Sequence, residues 1–183
     1  SLYSSGRVQG FAQDISADLD CALEAVRQKD FPTALQALAK PPKLIITDSQ
    51  VFAHVYPLKP EGTLLTSFSI LLAAYKGDLS VFIKGANALD TLNDNSHVLI
   101  AEACTHAPLQ EDIGRVKIPN MLRKRYGEQL RITVVSGSQF PNDLSEYQLI
   151  IHCGACMFNR KHVLTRVEQA EQQGVPITNY GVV

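Results

Sequence analysis

The segment Tyr147-Gln-Leu-Ile-Ile-His-Cys153 gives the clearest indication of the fold of this chain. Its apolar centre is continuous rather than alternating, which is typical of a strand buried on both faces of a parallel sheet. Similar strands are predicted at His97–Ala101 and Arg131–Ser136, with helical patterns between them. Strands that alternate with helices imply right-handed crossovers and a parallel sheet. The fold class is therefore predicted to be α/β.

The clearest helix is predicted over Asp78–Leu92. Leu79, Phe82 and Ile83 recur there at i, i+3 and i+4, and Asp78 is an N-cap candidate. Further elements are expected as helices at Ile118–Arg125 and Cys156–Gln173, the latter stopped by Gly174, and as a last strand at Val175–Asn179. These elements make up a predicted domain of residues 66–183.

Residues 1–65 are predicted to form a separate small parallel-sheet unit. Its elements are expected to be a helix ending near Asp20, a helix over Phe31–Ala39, and three strands at Ala22–Arg27, Lys43–Thr47 and Leu64–Ser67. The Lys43–Thr47 strand is expected to be buried on both faces. A sheet of three strands has an open edge, which another chain can cover. Residues 1–65 are therefore predicted to be a dimerisation domain.

Composition excludes several classes of protein. Of the 183 residues, 45% are hydrophobic and 19% charged, which indicates a globular chain rather than a disordered one. The net charge of −1 offers no field for nucleic acid or an anionic membrane. The longest apolar stretch, Ile70–Tyr75, is too short to span a bilayer. The first residues lack an initiating Met and a secretory signal, so the chain is expected to be part of a longer cytoplasmic protein.

Three of the four cysteines are predicted to converge at one end of the sheet. Ligands of open parallel sheets collect beyond the carboxyl ends of the strands. Cys104 follows the strand that ends at Ala101, Cys153 closes a strand, and Cys156 is expected to open the next helix. Further candidate ligands nearby are His106, His152 and Glu111.

Four interpretations of these cysteines stay open on the residues alone. A structural zinc site of Cys3His type uses the same ligands, although such sites usually draw on two close pairs. A dithiol oxidoreductase needs only Cys153 and Cys156 and leaves Cys104 unexplained. Buried structural thiols suit Cys21 better than a Cys-x-x-Cys sequence. The fourth interpretation is an iron–sulfur cluster held by three cysteines, with one iron open to another ligand.

The order of these residues resembles a known family. Cys104-Thr-His106, then 45 residues, then His152-Cys153-Gly-Ala-Cys156 is similar to the CxH…HCxxC signature of the FeFe-hydrogenase maturation factor HydF family. The resemblance covers most of the chain from Pro41 onward. Its other segments are Ile46–Gln50, Leu65–Ser69, Tyr75–Asp78, Asp112–Pro119 and Thr178–Gly181.

This resemblance implies a scaffold rather than an enzyme. Family members carry a GTPase, a dimerisation domain and a domain that binds a 4Fe-4S cluster, but no GxxxxGK[ST] phosphate loop occurs here. It implies Cys104, Cys153 and Cys156 as cluster ligands, with His106, His152 or Glu111 as candidates for the fourth position. The implied cargo is a transient two-iron precursor. The implied partners are a second copy of the chain, radical-SAM maturases and the apo FeFe-hydrogenase.

Five cations also lie close together in this otherwise neutral chain. They are Arg115, Lys117, Arg123, Lys124 and Arg125. A solvated helix face is the favoured interpretation. The alternative is that they attract an anionic iron precursor or an acidic partner.

Overall fold

The computed structural model describes residues 17, 20–48, 51–102, 113–155 and 158–183. The chain divides into two compact units, one formed by residues 1–45 and 53–65 and the other by residues 46–52 and 66–183. The predicted α/β fold, with a parallel sheet in each part of the chain, is confirmed.

The amino-terminal part contains two short strands that pair with each other, β1 (Leu44–Thr47) and β2 (Leu64–Ser67). The described helices here are α1 (Phe31–Ala37) and α2 (Phe52–Val55), with 3-10 turns at Gln28–Asp30 and Tyr56–Leu58. Helix α1 and both strands agree with the predictions. The predicted helix before Asp20 lies largely outside the described residues.

Two predictions for this part are wrong. Residues Ala22–Arg27 form no strand, and all but Val26 are exposed, so their apolar side chains have no buried face to occupy. The sheet therefore has two strands rather than three among the described residues. Strand β1 is not buried on both faces: Ile45 and Thr47 are buried, whereas Leu44 is 39% exposed. Such alternation indicates a strand with one buried face.

Two helices precede the central sheet, and only one of them was predicted. Helix α3 (Phe68–Lys76) follows β2 directly and is capped by the Ser67 hydroxyl, which accepts from Ile70 N at 3.3 Å. Helix α4 (Leu79–Ala86) has the predicted cap, because Asp78 Oδ1 accepts from Ser80 N and Val81 N. It is shorter than predicted and continues as a 3-10 turn over Asn87–Thr91.

The central sheet has four parallel strands in the order β4-β3-β5-β6. Their bounds are β3 (His97–Glu102), β4 (Arg131–Ser136), β5 (Leu149–His152) and β6 (Ile177–Asn179). In this register Ala101 pairs with both Val135 and His152. The predicted parallel sheet of this domain is confirmed.

Helices cover both faces of this sheet. Leu99 and Ile150 point to one face, where they pack with Phe82 of α4 and with α6 (Arg160–Gln172). Val98 and Ile151 point to the other face and pack with Leu122 of α5 (Ile118–Tyr126). A π-helical turn, Ile113–Lys117, leads into α5. The continuous apolar strands are explained by burial on two faces.

Helix α6 begins later than predicted. Asn159 is its N-cap, with Oδ1 accepting from His162 N at 2.9 Å, so the prediction that Cys156 opens this helix is wrong. Cys156 itself lies outside the described residues. The helix ends as predicted, since Gly174 follows it with a left-handed φ of 69°. Within the described ranges, no helix combines the length and the apolarity that crossing a membrane requires.

Candidate metal centre

The carboxyl edge of the central sheet is polar. Each of its four strands ends on a side chain that can form hydrogen bonds: Glu102, Ser136, His152 and Asn179. Strand interiors just before these residues are apolar and fully buried in β3 and β5. This is the edge at which ligands of open parallel sheets bind.

Cys153 is held on this edge by its own peptide groups. Its N–H donates to Ala101 O at 2.9 Å, which extends the pairing of β5 with β3. Its carbonyl oxygen accepts from His152 Nδ1 at 2.7 Å and from Asn179 Nδ2 at 3.1 Å. The backbone that carries the thiol is therefore clamped from two neighbouring strands.

The loop after Cys153 is shaped around the sulfur atom. Ala155 N donates to Cys153 Sγ at 3.4 Å. Ala155 has a φ of 49°, a conformation that L-residues seldom adopt, and its side chain is buried in the core. A Cβ at Gly154 would meet no atom of the described residues within 4 Å. Amide donation to sulfur fits a thiolate that binds a metal cluster.

His152 is fully buried and uses both ring nitrogens. Nδ1 bonds Cys153 O, and Nε2 lies 3.0 Å from Arg166 Nη1. Guanidinium has no acceptor, so Nε2 must accept and the proton must lie on Nδ1. Burial is the main cause that lowers the pKa of His152, to about 4. Binding of a metal at Nε2 would first require the displacement of Arg166.

Arg166 places a buried positive charge under this loop. Besides His152, its guanidinium donates to Gly137 O and lies over the Phe140 ring at 4.8 Å. Only 3% of the residue is exposed. Desolvation lowers the pKa of Arg166, while Coulombic attraction to Cys153 raises it. Through its contact with His152, the Arg166 guanidinium reaches the residue next to Cys153.

A second polar cluster lies at the ends of β3 and β4. Arg115 Nε and Nη2 donate to Glu102 Oε2 at 3.1 and 3.0 Å, and Nη2 also donates to Ser136 Oγ at 2.9 Å. Gly114 allows this approach, because a Cβ there would collide with Tyr180 Oη and lie 2.7 Å from Glu102 Oε1. Glu102 and Arg115 flank residues 103–112, which carry Cys104, His106 and Glu111. The ion pair therefore joins the two ends of that segment.

The structure brings together two of the predicted site residues, Cys153 and His152. The others, Cys104, His106, Glu111 and Cys156, lie outside the described residues, so the convergence of three thiols stays a prediction. Within the described ranges, no three His, Cys, Asp or Glu side chains are grouped as a metal site. Cys21 is exposed and belongs to the other unit.

Sequence reasoning missed Arg166 and Asn179. One signal for Arg166 was available, since it lies between Val163 and Val167 on the buried side of α6. An arginine among core positions needs buried partners. Asn179 lies in one of the segments that carry the family resemblance, but no role was predicted for it.

Two of the five cations, Arg115 and Arg125, lie at opposite edges of the central sheet. Arg115 lies at the carboxyl edge in its pair with Glu102. Arg125 lies at the far end of α5 and pairs with Asp90 at 3.2 Å. Gly127 after this helix approaches Asp94, which precedes β3, so this end of α5 lies at the opposite edge of the sheet. Arg125 is therefore unsuited to attract an anion to Cys153.

Comparisons with known families match nearly the whole chain. The hydrogen maturase F tetramerization domain matches residues 80–183, which is more than half of the chain. The hydrogen maturase F dimerization domain matches residues 11–77. No curated protein matches the chain. Both domain descriptions support self-association, and neither describes catalysis.

Proposed function

The chain belongs to the hydrogen maturase F family and therefore has a role in hydrogenase maturation, in which, we propose, it is the scaffold that holds a 4Fe-4S cluster and a two-iron precursor. The proposed cluster ligands are Cys104, Cys153 and Cys156. The fourth position is proposed to be exchangeable, with His106, His152 and Glu111 as candidates, of which His152 would first have to give up its contact with Arg166.

One observation carries this proposal: Cys153 lies at the carboxyl edge with its backbone clamped and an amide directed at its sulfur. A buried structural thiol needs neither feature. Amide donation to sulfur stabilises a thiolate and tunes an iron–sulfur cluster. The nearby Arg166 charge acts in the same direction, because it offsets the negative charge of thiolates.

The residues of the chain have separate tasks in this scaffold. When bound, the 4Fe-4S cluster supplies one iron without a cysteine ligand, at which a second metal unit can be held and released. Cys153 binds the cluster from the end of β5. The pair of Glu102 and Arg115 joins the ends of the segment that carries Cys104. Helix α4 and the buried side of α6, with Val163, Val167 and Ala170, exclude water from the strands beneath.

Anaerobic reconstitution tests the proposal. Iron and sulfide are counted and EPR spectra are recorded for the chain and for Cys104→Ala, Cys153→Ala and Cys156→Ala. Each of these variants is expected to lose the cluster. Cys21→Ala is the matched control, since Cys21 is exposed in the other unit, and it should keep the full iron content.

The same experiment separates the proposal from a dithiol oxidoreductase that uses Cys153 and Cys156. Such an enzyme does not need Cys104. A Cys104→Ala variant that keeps its metal content, or a wild-type chain that takes up zinc but no iron, would contradict the scaffold. The proposed partners in this function are radical-SAM maturases that supply the two-iron unit and the apo FeFe-hydrogenase that receives it, in the cytoplasm.

A further inference from the structure

We infer that Arg166 is a positioning residue of the cysteine site, because it holds His152 in the one tautomer that fixes the Cys153 carbonyl and so directs the Cys153 thiol. The inference rests on the proposed function for what the thiol binds. The contacts of Arg166 and His152, however, are made within the chain and can be tested without metal. Arg166 acts on the site through its contact with His152, through the contact of His152 with Cys153, and through its charge.

The first step is the choice of tautomer. Arg166 Nη1 lies 3.0 Å from His152 Nε2, and a guanidinium N–H can only donate. Nε2 must therefore carry a lone pair, which leaves the ring proton on Nδ1. Arg166 is itself fixed from two other directions, by Gly137 O and by the Phe140 ring. A partner held in this way imposes its geometry on the imidazole.

The second step is the clamp on Cys153. With its proton on Nδ1, His152 donates to Cys153 O at 2.7 Å, where Asn179 Nδ2 also donates. The opposite tautomer would place two lone pairs against each other at this distance and break the contact. The carbonyl of Cys153 then fixes the peptide plane from which Gly154 and Ala155 turn back to the sulfur.

The third step is electrostatic. Arg166 is almost fully buried, so its charge is weakly screened by water. The thiolates and the cluster proposed next to Arg166 carry negative charge. A cation at this place raises the reduction potential of a cluster, because the reduced state carries one more negative charge.

The first experiment uses the metal-free chain with 15N-labelled histidine. Long-range 1H–15N correlation spectra report which ring nitrogen of His152 carries the proton. The wild-type chain is expected to show Nδ1–H only. Arg166→Met, which retains an apolar stem over Phe140, should show a mixture of tautomers. Arg160→Met is the matched control, because Arg160 is on the same helix but donates to Ala74, Tyr75 and Gly77 carbonyls.

The second experiment uses the reconstituted chain. Arg166→Met should retain most of its iron, since the cysteines are unchanged, but its EPR signal should change and its reduction potential should become more negative. Arg166→Lys retains the positive charge but lacks the planar guanidinium that contacts His152 Nε2 and Gly137 O together. Its potential should therefore stay nearer to the wild-type value although its EPR signal changes.

The outcomes distinguish this inference from the proposed function. A wild-type tautomer and EPR signal in Arg166→Met, or equal changes in Arg160→Met, would overturn the role of Arg166 and leave the scaffold intact. A wild-type chain that binds no iron would overturn the scaffold, while the tautomer experiment still decides on Arg166. If Arg166→Met does not fold, Arg166→Lys and His152→Gln take its place, and an unchanged EPR signal in both overturns the inference.

Discussion

At the scale of single residues, the candidate site depends on how His152 is buried. A histidine beside a cysteine in a motif suggests a ligand, but here the ring is fully buried and both nitrogens are occupied. Such a residue contributes more to the shape of the loop than to metal binding. Its chemistry also makes the stability of the chain depend on pH.

We predict that the metal-free chain loses stability as the pH falls from 6.5 toward 4. The folded state holds His152 neutral with a pKa of about 4, whereas the unfolded chain takes up a proton near 6.5. Above pH 6.5 both states are neutral and the residue adds no pH dependence. Below it, the unfolded state binds more protons, so the free energy of unfolding falls by on the order of 3 kcal/mol in this window. Urea unfolding at several pH values measures it.

His152→Gln supplies the control for this pH dependence. It removes the titrating ring while His97 and His162, whose pKa values are also lowered by desolvation, remain. The variant should therefore show a smaller but nonzero loss of stability in the same window. Identical slopes for the variant and the wild-type chain would contradict the assignment to His152.

At the scale of elements, close packing of a helix on a strand shapes the domain. Gly85 of α4 faces the backbone of β6, and a Cβ at this position would collide with Ile177 O. The last strand is short, three residues, and ends on Asn179, which clamps Cys153. The distance between α4 and β6 therefore affects the site as well as the core.

We expect Gly85→Ala to destabilise the domain by roughly 1–3 kcal/mol, because the added methyl group meets backbone that cannot move aside by rotation. The gain in helix propensity, up to about 1 kcal/mol, offsets only part of this cost. Thermal unfolding measures the change. Lys84→Ala, at an exposed position of the same helix, should stay within about 0.5 kcal/mol of the wild-type chain. Equal stability of the two variants would contradict the packing argument.

The ion pair of Glu102 and Arg115 is expected to contribute to iron binding. Arg115→Met unlinks the ends of residues 103–112 and should weaken iron binding by about two- to fivefold, which is what an ion pair of ~0.5–1 kcal/mol gives at a half-exposed position. Iron uptake against a competing chelator measures this. Arg125→Met breaks the exposed pair with Asp90 at the other edge and should bind iron normally. Equal weakening in both variants would indicate a general effect of lost charge.

At the scale of the whole molecule, both matched domains are described as assembly domains. The described surface carries large apolar side chains that are more than half exposed, among them Leu64 at 69% and Tyr56 at 61%. Both belong to the unit that the sequence predicts to dimerise. Exposed apolar groups of this kind are common at protein interfaces.

We predict that the 20.1 kDa chain is at least a dimer in solution, with a mass of about 40 kDa or, as a tetramer, about 80 kDa. Light scattering after size-exclusion chromatography at micromolar concentration measures it. Leu64→Lys should shift the mass downward, because it places a charge at an exposed apolar position of β2. Lys84→Ala should not change the mass. A wild-type mass near 20.1 kDa would contradict self-association.

The amino-acid sequence was sufficient to predict the α/β class, the parallel strands of the central sheet and the Asp78 cap, because continuous apolar runs and capping side chains act over a few neighbouring residues. It also placed Cys153 at a strand end. The prediction of a strand at Ala22–Arg27 was wrong, because these residues have no buried face to occupy. Helix α3, which begins directly after β2, was not predicted.

The surroundings of Cys153, in contrast, depend on long-range contacts. Arg166 lies 14 residues from His152 along the chain, and Asn179 lies 26 residues from Cys153. These contacts arise because the strand order places β5 between β3 and β6 while α6 crosses one face. No local periodicity encodes contacts between residues so far apart in the sequence. These contacts follow from long-range packing, which brings the ends of the strands to the same edge of the sheet. Polar groups that are buried there form hydrogen bonds with one another.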